Sequence, residues 1–365
     1  MLKLFLYPLS LIYGFITAIR NKLYDFKILT STEFEIPVIS IGNITVGGTG
    51  KTPHTEYLIK LLKQNYRVST LSRGYKRKSQ GFRMVESGST VEEVGDEPLQ
   101  MKLKYPGVTV SVCENRVKGV EELLERQPSP DVVVLDDAFQ HRRISPGLNI
   151  LLIDYNKPIK DDYMLPLGRL RESKVQAKRA NIIIITKCPN EITPITRRIL
   201  AKDVSLYPYQ DLYFTTMVYG QLCPVFPEGR PMDLFNDPRH MAILVILGIA
   251  APEYAINHLS KISNEIDSMI FPDHHNYTDS DIENIQQRFN QLKNPRRIIV
   301  TTEKDTVRLR QLNLTKDFKS MLYYLPVQVK FLDREGKQFD KKIMDYVGEN
   351  KSNRELHQRK NRVQG

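Results

Sequence analysis

The sequence predicts an α/β fold: a P-loop NTPase-type, doubly wound, mostly parallel sheet joined to a second, smaller α/β domain. Three observations predict it. Short Val/Ile/Leu runs alternate with helical patterns between positions 37 and 186, a glycine-rich GGTGKT segment follows the first run, and α/β alternation resumes near 242. Continuous apolar runs, unlike alternating ones, suit strands whose two faces are both covered by helices.

The chain opens with an apolar stretch over 4–19, bordered by Lys3, Arg20 and Lys22 and interrupted by Pro8 and Gly14. It falls short of the ~20 residues that a helix needs to span hydrocarbon. No small-residue cleavage site follows it, so a removed signal peptide is not expected. The pattern fits a helix lying in a membrane interface with basic residues near lipid phosphates, and segment 1–28 is assigned to it; an ordinary buried first helix is the alternative. Strands follow at 38–43, 68–71, 108–112, 132–136, 150–154 and 182–186. Helices are expected at 52–64 and 116–127, the second carrying Val117, Val120, Leu123 and Leu124 on one side.

The stretch 223–238 holds four prolines and a glycine, the composition of a domain edge. A P-loop domain is therefore expected over 29–222 and a smaller α/β domain over 223–348. The latter should contain strands at 242–247, 268–271 and 297–301 and helices at 253–260 and 279–292. Apolar runs at 212–219 and 322–331 fit strands of either unit, or strands that tie the two together. The polar tail 349–365 lacks apolar periodicity and reads as disordered.

Composition narrows the partners. The 365 residues are 41% hydrophobic and carry a net charge of +11, a surplus that attracts nucleic acid, anionic lipid or phosphorylated substrates. No stacking-aromatic platform or nucleic-acid motif supports the first of these. Cys113, Cys188 and Cys223 are scattered without C-x-x-C spacing, which argues against structural zinc or a disulfide framework and for a reducing compartment.

The strongest local signal is Thr45-Val46-Gly47-Gly48-Thr49-Gly50-Lys51-Thr52, placed after a strand and opening a helix. Glycines let backbone amides curl round phosphate oxygens, and the helix N-terminus adds partial positive charge. Lys51 would reach the β- and γ-phosphates of a nucleotide and the Thr52 hydroxyl would ligate Mg²⁺. Thr45 stands where such loops usually place their first glycine. The run 132–135 ends in Asp136 and Asp137, the form of a metal-holding strand end beside a phosphate loop.

Other clusters must select a reaction. Gly95-Asp96-Glu97-Pro98 puts acids before a helical stretch, where Asp96 is either a base for a hydroxyl or a plain N-cap. Phe271-Pro272-Asp273-His274-His275 follows a strand and offers a His for proton handling, or simple turn chemistry. Arg73 and Tyr75, then Gln140, His141, Arg142 and Arg143, then Arg169 and Arg171, all follow strands of the P-loop domain, where ligands gather. Arginines there suit an anionic substrate or a phosphoryl group in flight. Thr186-Lys187 and Thr302-Glu303-Lys304-Asp305 faintly resemble a guanine-reading motif, and no guanine specificity is inferred.

In series, these motifs resemble the tetraacyldisaccharide 4′-kinases, the lipid A kinases of Gram-negative bacteria. The matching pieces run from the apolar N-terminus through Gly42-Asn43, the 47–53 loop, Ser72-Arg73-Gly74-Tyr75, Gly95–Pro98, Asp136–His141, Leu170-Arg171-Glu172, Phe271–His274 and Thr302–Asp305. The resemblance implies a monotopic enzyme on the cytoplasmic face of the bacterial inner membrane that uses ATP and Mg²⁺. It would phosphorylate the 4′-hydroxyl of a tetraacyl glucosamine disaccharide 1-phosphate, without nucleic acid or an obligate protein partner. Catalytic roles fall to Asp96 as base paired with His274, to Lys51 and to Arg171. Gly47, Gly48, Thr49, Gly50, Lys51 and Thr52 would bind the nucleotide, and Thr52, Asp136 and Asp137 the metal. Asn43, Arg73, Tyr75, Gln140 and His141 would bind substrate. Ser173 departs from the expected proline, and Arg169 occupies a variable position. Membrane-associated switch ATPases also carry a GGxGKT loop, but usually with a lysine where this chain has Val46.

Overall fold

The computed structural model describes residues 2–229 and 241–363, with side chains placed over 5–229 and 241–350. The chain divides into two units, one of residues 1–87, 101–217 and 329–365 and the other of 88–100 and 218–328.

The larger unit is built on strands β1 (Val38–Gly42), β2 (Val68–Ser72), β3 (Arg83–Met84), β4 (Thr109–Val112), β5 (Val132–Asp136), β6 (Leu148–Asp154), β7 (Ile182–Thr186) and β8 (Asp211–Tyr219). Among the described residues their spatial order is β8-β7-β6-β1-β5-β2-β4-β3. Neighbours pair in parallel except for the short β3. β1 therefore lies between β5 and β6, the point where strand order reverses and ligand crevices form. All residues of β1, β5, β6 and β7 are buried, which explains their unbroken apolar runs. Helices α1 (Leu2–Asp25), α2 (Lys51–Leu62), α5 (Arg116–Leu124) and α6 (Pro194–Asp203) belong to this unit. Asn115 starts α5 by accepting from the Val117 and Lys118 amides.

The smaller unit has a sheet ordered β11-β10-β12-β13-β9, from β9 (Cys223–Pro224), β10 (Ala242–Leu247), β11 (Glu265–Ile270), β12 (Arg297–Thr302) and β13 (Leu322–Leu325). It carries α7 (Glu253–Leu259), α8 (Asp279–Gln291), α9 (Glu303–Leu309) and α10 (Lys316–Met321). Residues 88–100, containing α3 (Val91–Val94) and the start of α4 (Asp96–Lys104), also join this unit.

Sequence boundaries need three corrections. The apolar run 322–331 divides at Pro326 into β13 and β14 (Val327–Phe331); β14 adds beside β8 in the larger sheet. The chain after 328 then returns to the larger unit instead of completing a 223–348 domain. Its last helix, α11 (Gly336–Val363), inserts Phe339 among Tyr57, Tyr213 and Phe331, with ring centroids 4.6 to 5.9 Å apart. Aromatic burial on this scale anchors the start of α11. The tail expected to be disordered from 349 continues as helix to Val363. The proline-rich edge 223–238 lies outside the described residues from position 230 onward.

Candidate active site

The P-loop is preorganised inside the larger unit. Gly47 and Gly50 take φ of +103° and +87°, values that glycine alone adopts without strain. A Cβ on Gly47 or Gly48 would meet nothing within 4 Å, so these residues present open backbone to a phosphate. Thr45 is not among the positive-φ residues; it bridges antiparallel to Leu170, and Val46 N–H donates to Arg169 O at 2.8 Å. The missing first glycine is thereby explained, because position 45 is extended backbone paired to its neighbour.

Several side chains brace the loop. Asn43 is fully buried, and its amide donates to Thr49 Oγ1 at 2.8 Å. Thr186 Oγ1 donates to Thr49 O at 2.9 Å, and Lys187 donates to Gly48 O and to Asp154 at 2.9 Å. His54 Nδ1 donates to Gly50 O at 2.7 Å, which leaves Nε2 to accept from Thr215 Oγ1 at 3.1 Å. Burial pushes the His54 pKa down to about 4, so the ring is neutral when it does this. The pair Thr186-Lys187, a weak signal in sequence, is thus a clamp on the phosphate loop.

The charged residues follow from strand register. Asp136 lies opposite Ile41 at the end of β5, and its carboxylate accepts from Thr55 at 3.1 Å. Asp137 takes φ of +47° and stands 3.7 Å from Lys51 Nζ and 2.9 Å from Arg171 Nη2. Burial would raise its pKa, but Lys51 and Arg171 outweigh that and hold the carboxyl below its usual range. Arg171 also donates to the Asn43 side chain. Its backbone N–H donates to Ile44 O at 2.8 Å, so segment 164–171 lies along the entry to the loop. Arg169 pairs instead with Asp162 at 2.9 Å. Among the described residues no three His, Cys, Asp or Glu side chains gather into a metal cage. Thr52 at the start of α2 and Asp136 and Asp137 at the end of β5 carry a hydroxyl and two carboxylates, the donor type that Mg²⁺ takes.

The expected substrate residues divide. Gln140 donates to Asn43 O at 2.6 Å. With His141 it lines a cavity of about 500 Å³, walled also by Arg20, Arg116, Arg142 and Arg143. Burial and the nearby Arg116 lower the His141 pKa to about 4. Arg73 and Tyr75 are exposed, Tyr75 by 56%. Arg116 was not expected from sequence: it is 3% exposed and donates to Cys113 O at 2.6 Å.

Helix α1 backs this site with an inverted amphipathic arrangement. Its inward face is polar: Ser10 donates to Met164 O at 2.7 Å, Tyr13 to Arg171 O at 3.0 Å, and Asn21 to Glu172 at 3.3 Å. Its outward face carries Phe5, Leu9, Ile12, Phe15, Ile16 and Ile19, exposed by 44% to 74%. No helix among the described residues is long and apolar enough to cross a membrane.

The smaller unit holds a separate cluster. Asp96 begins α4, is 1% exposed, and accepts from His274 Nδ1 at 2.7 Å and from Arg308 Nη2 at 3.1 Å. His275 bonds Asp281 at 3.0 Å and stacks on Phe271, so His274 is the ring beside Asp96. Burial would raise the Asp96 pKa; the His274 hydrogen bond and the charges of Lys304 and Arg308 outweigh it and keep the carboxylate ionised. A phosphate loop between a strand and a helix, beside a neighbouring strand that ends in carboxylates, defines the P-loop nucleotide-binding class.

Comparison with known proteins sharpens the class. The tetraacyldisaccharide-1-P 4′-kinase family model matches residues 2–347. The tetraacyldisaccharide 4′-kinase of Phocaeicola vulgatus is 49% identical, over 95% of this chain and 96% of its own. That of Bacteroides thetaiotaomicron is 47% identical, over 98% and 96%. The crystal structure of the apo form of LpxK from Aquifex aeolicus in complex with ATP is 32% identical, with a TM-score of 0.72 over 95% of this chain and 100% of that one. The chain belongs to the tetraacyldisaccharide 4′-kinase family.

Proposed function

We infer that the protein transfers the γ-phosphate of ATP to the 4′-hydroxyl of a tetraacyl glucosamine disaccharide 1-phosphate, a step in making lipid A. Family membership supports the substrate pair. Nucleotide binding alone does not choose a reaction, so the observation that carries the mechanism is the Asp96–His274 pair.

In this reading the 47–52 loop holds the triphosphate, and Lys51 and Arg171 neutralise charge on the transferring group. Thr52, Asp136 and Asp137 would hold Mg²⁺, which supplies further charge neutralisation at the phosphates when bound. Asp96 accepts the proton as the sugar O–H bond breaks and the new O–P bond forms; ADP departs with the electrons of the old bond. Phosphoryl transfer through a loose transition state asks little of base strength, so an ionised and well-oriented carboxylate suffices. The cationic cavity beside Gln140 and His141, with Arg73 and Tyr75 exposed on the same unit, suits the anionic disaccharide.

The outward face of α1 supports a peripheral or monotopic seat on a membrane, where an acceptor's acyl chains reside. ATP use favours the cytoplasmic side of the inner membrane for that seat. The same helix touches segment 164–171, so it joins the membrane seat to the phosphate loop. The test is transfer of labelled γ-phosphate from ATP and Mg²⁺ to the detergent-solubilised disaccharide. Asp96→Ala should lose at least a hundredfold in kcat, within the range of general-base contributions, while ATP affinity holds. Unchanged turnover in that variant removes Asp96 from the base role.

A further inference from the structure

We propose that Lys304 is a positioning residue for this reaction: its ammonium caps Nε2 of His274 and fixes the imidazole in the tautomer that donates Nδ1–H to Asp96. The proposal deepens the reading of Asp96 as base and rests on it.

Lys304 Nζ lies 3.1 Å from His274 Nε2 and 2.9 Å from Asp273 Oδ1. An ammonium has protons to give and no lone pair, so Nε2 must be the acceptor. The ring proton then resides on Nδ1, 2.7 Å from Asp96 Oδ2. Lys304 itself stands 4.0 Å from that oxygen, and Arg308 at 3.1 Å completes its shell. A ring proton on Nε2 would face the ammonium directly, with Asp273 Oδ2 3.7 Å away as its nearest carboxylate, beyond hydrogen-bond reach. The charged groups that these contacts place around the pair include Lys304 and Arg308 from α9, with Asp305 of the same helix acting on both, Asp273 from the histidine's own loop, and Asp96 from α4.

The fold fixes Lys304 for this task. Thr302 caps α9 through the Asp305 amide at 3.1 Å, and Asp305 accepts Gly248 N–H at 3.0 Å. Gly248 O in turn accepts His274 N–H at 3.2 Å. One chain of bonds thus sets both ends of the Lys304–His274 contact. A Cβ at Gly248 would lie 2.7 Å from Asp305 Oδ1, so a larger residue there would push on the carboxylate that holds the Gly248 amide. His274 adopts φ of +63°, a conformation that costs a non-glycine residue energy and that these bonds hold in place. With Nε2 capped, the imidazole has no free nitrogen for the sugar proton, which stays on Asp96. His274 acts by orienting.

The experiment uses the full chain labelled with ¹⁵N-histidine, His274 being assigned by comparison with His274→Gln. Wild type should show the Nδ1–H tautomer. Lys304→Met should lose that single tautomer and drop kcat at least tenfold, with the KM for ATP within twofold. Its acid limb of kcat/KM should move to higher pH, because one of the cations holding Asp96 ionised has gone. Lys304→Arg, which keeps a donor and a charge, should retain the tautomer and part of kcat. An Nε2–H tautomer in wild type overturns the proposal, as does an unchanged tautomer and acid limb in Lys304→Met. Asp96→Asn turnover reads the base role separately, so the two ideas fail on different measurements.

Discussion

Replacing Ile12 and Phe15 together by aspartate should abolish the membrane binding proposed for α1 without disturbing the fold. Both lie on the outward face of α1, 57% and 68% exposed. Burying a large apolar side chain completely yields about 1.5–3 kcal/mol, so sinking the exposed remainder of each yields about 1–2 kcal/mol. Losing both forfeits about 2–4 kcal/mol, or about 30- to 1,000-fold in partitioning, before any cost of placing charge in the interface. Co-sedimentation with vesicles of bacterial phospholipid reads the partition directly. Turnover of vesicle-embedded acceptor should fall in step, while ATP binding and turnover of detergent-solubilised acceptor hold. Partitioning within threefold of wild type would show that this face does not meet lipid. A collapse of ATP binding would show instead that it packs against protein.

Other consequences are equally specific. Gly42→Ala would place a Cβ 2.6 Å from Phe139 Cβ and 2.8 Å from its backbone nitrogen. It should lower the urea unfolding free energy by about 1–3 kcal/mol, and an unaltered midpoint would deny the close approach. Lys187→Met removes the clamp on Gly48 O, worth about 1.5–3 kcal/mol for a charged hydrogen bond. The KM for ATP should rise by about tenfold or more, and an unmoved KM would make the clamp incidental. His54 contributes a pH dependence: its pKa is about 4 in the fold against 6.5 unfolded. The unfolded chain therefore takes the proton first, so stability is intact above about pH 6.5 and declines as pH falls toward 4. The full loss is about 3 kcal/mol, and His54→Gln should flatten urea midpoints between pH 7.5 and 5. Equal slopes in both proteins would contradict it.

Much of the site was legible because its code is local. The phosphate loop announces itself by glycines at 47 and 50, whose positive φ no other residue accepts cheaply. The strands of the central sheet are apolar throughout because both faces are covered. Asp136 and Asp137 are visible as acids ending such a strand. Lys187 and Lys304 stood out in the sequence near threonines, but their roles here were not legible from it. Arg308 and Arg116 were not legible at all, each being one cation in a chain with 53 lysines and arginines.

The sequence by itself determined the parallel α/β class, the nucleotide loop and the apolar character of the first helix, all encoded by residues within a few positions of one another. Tertiary structure decided that β13 and β14 part at Pro326 to serve different sheets, and that α1 turns its polar side inward. It also chose His274 over His275 and surrounded Asp96 with cations. Asp96 meets His274 across 178 residues and Arg308 across 212. Contacts at such separations form because burying a carboxylate is costly until an opposite charge is held against it, and only the packed chain brings that charge there.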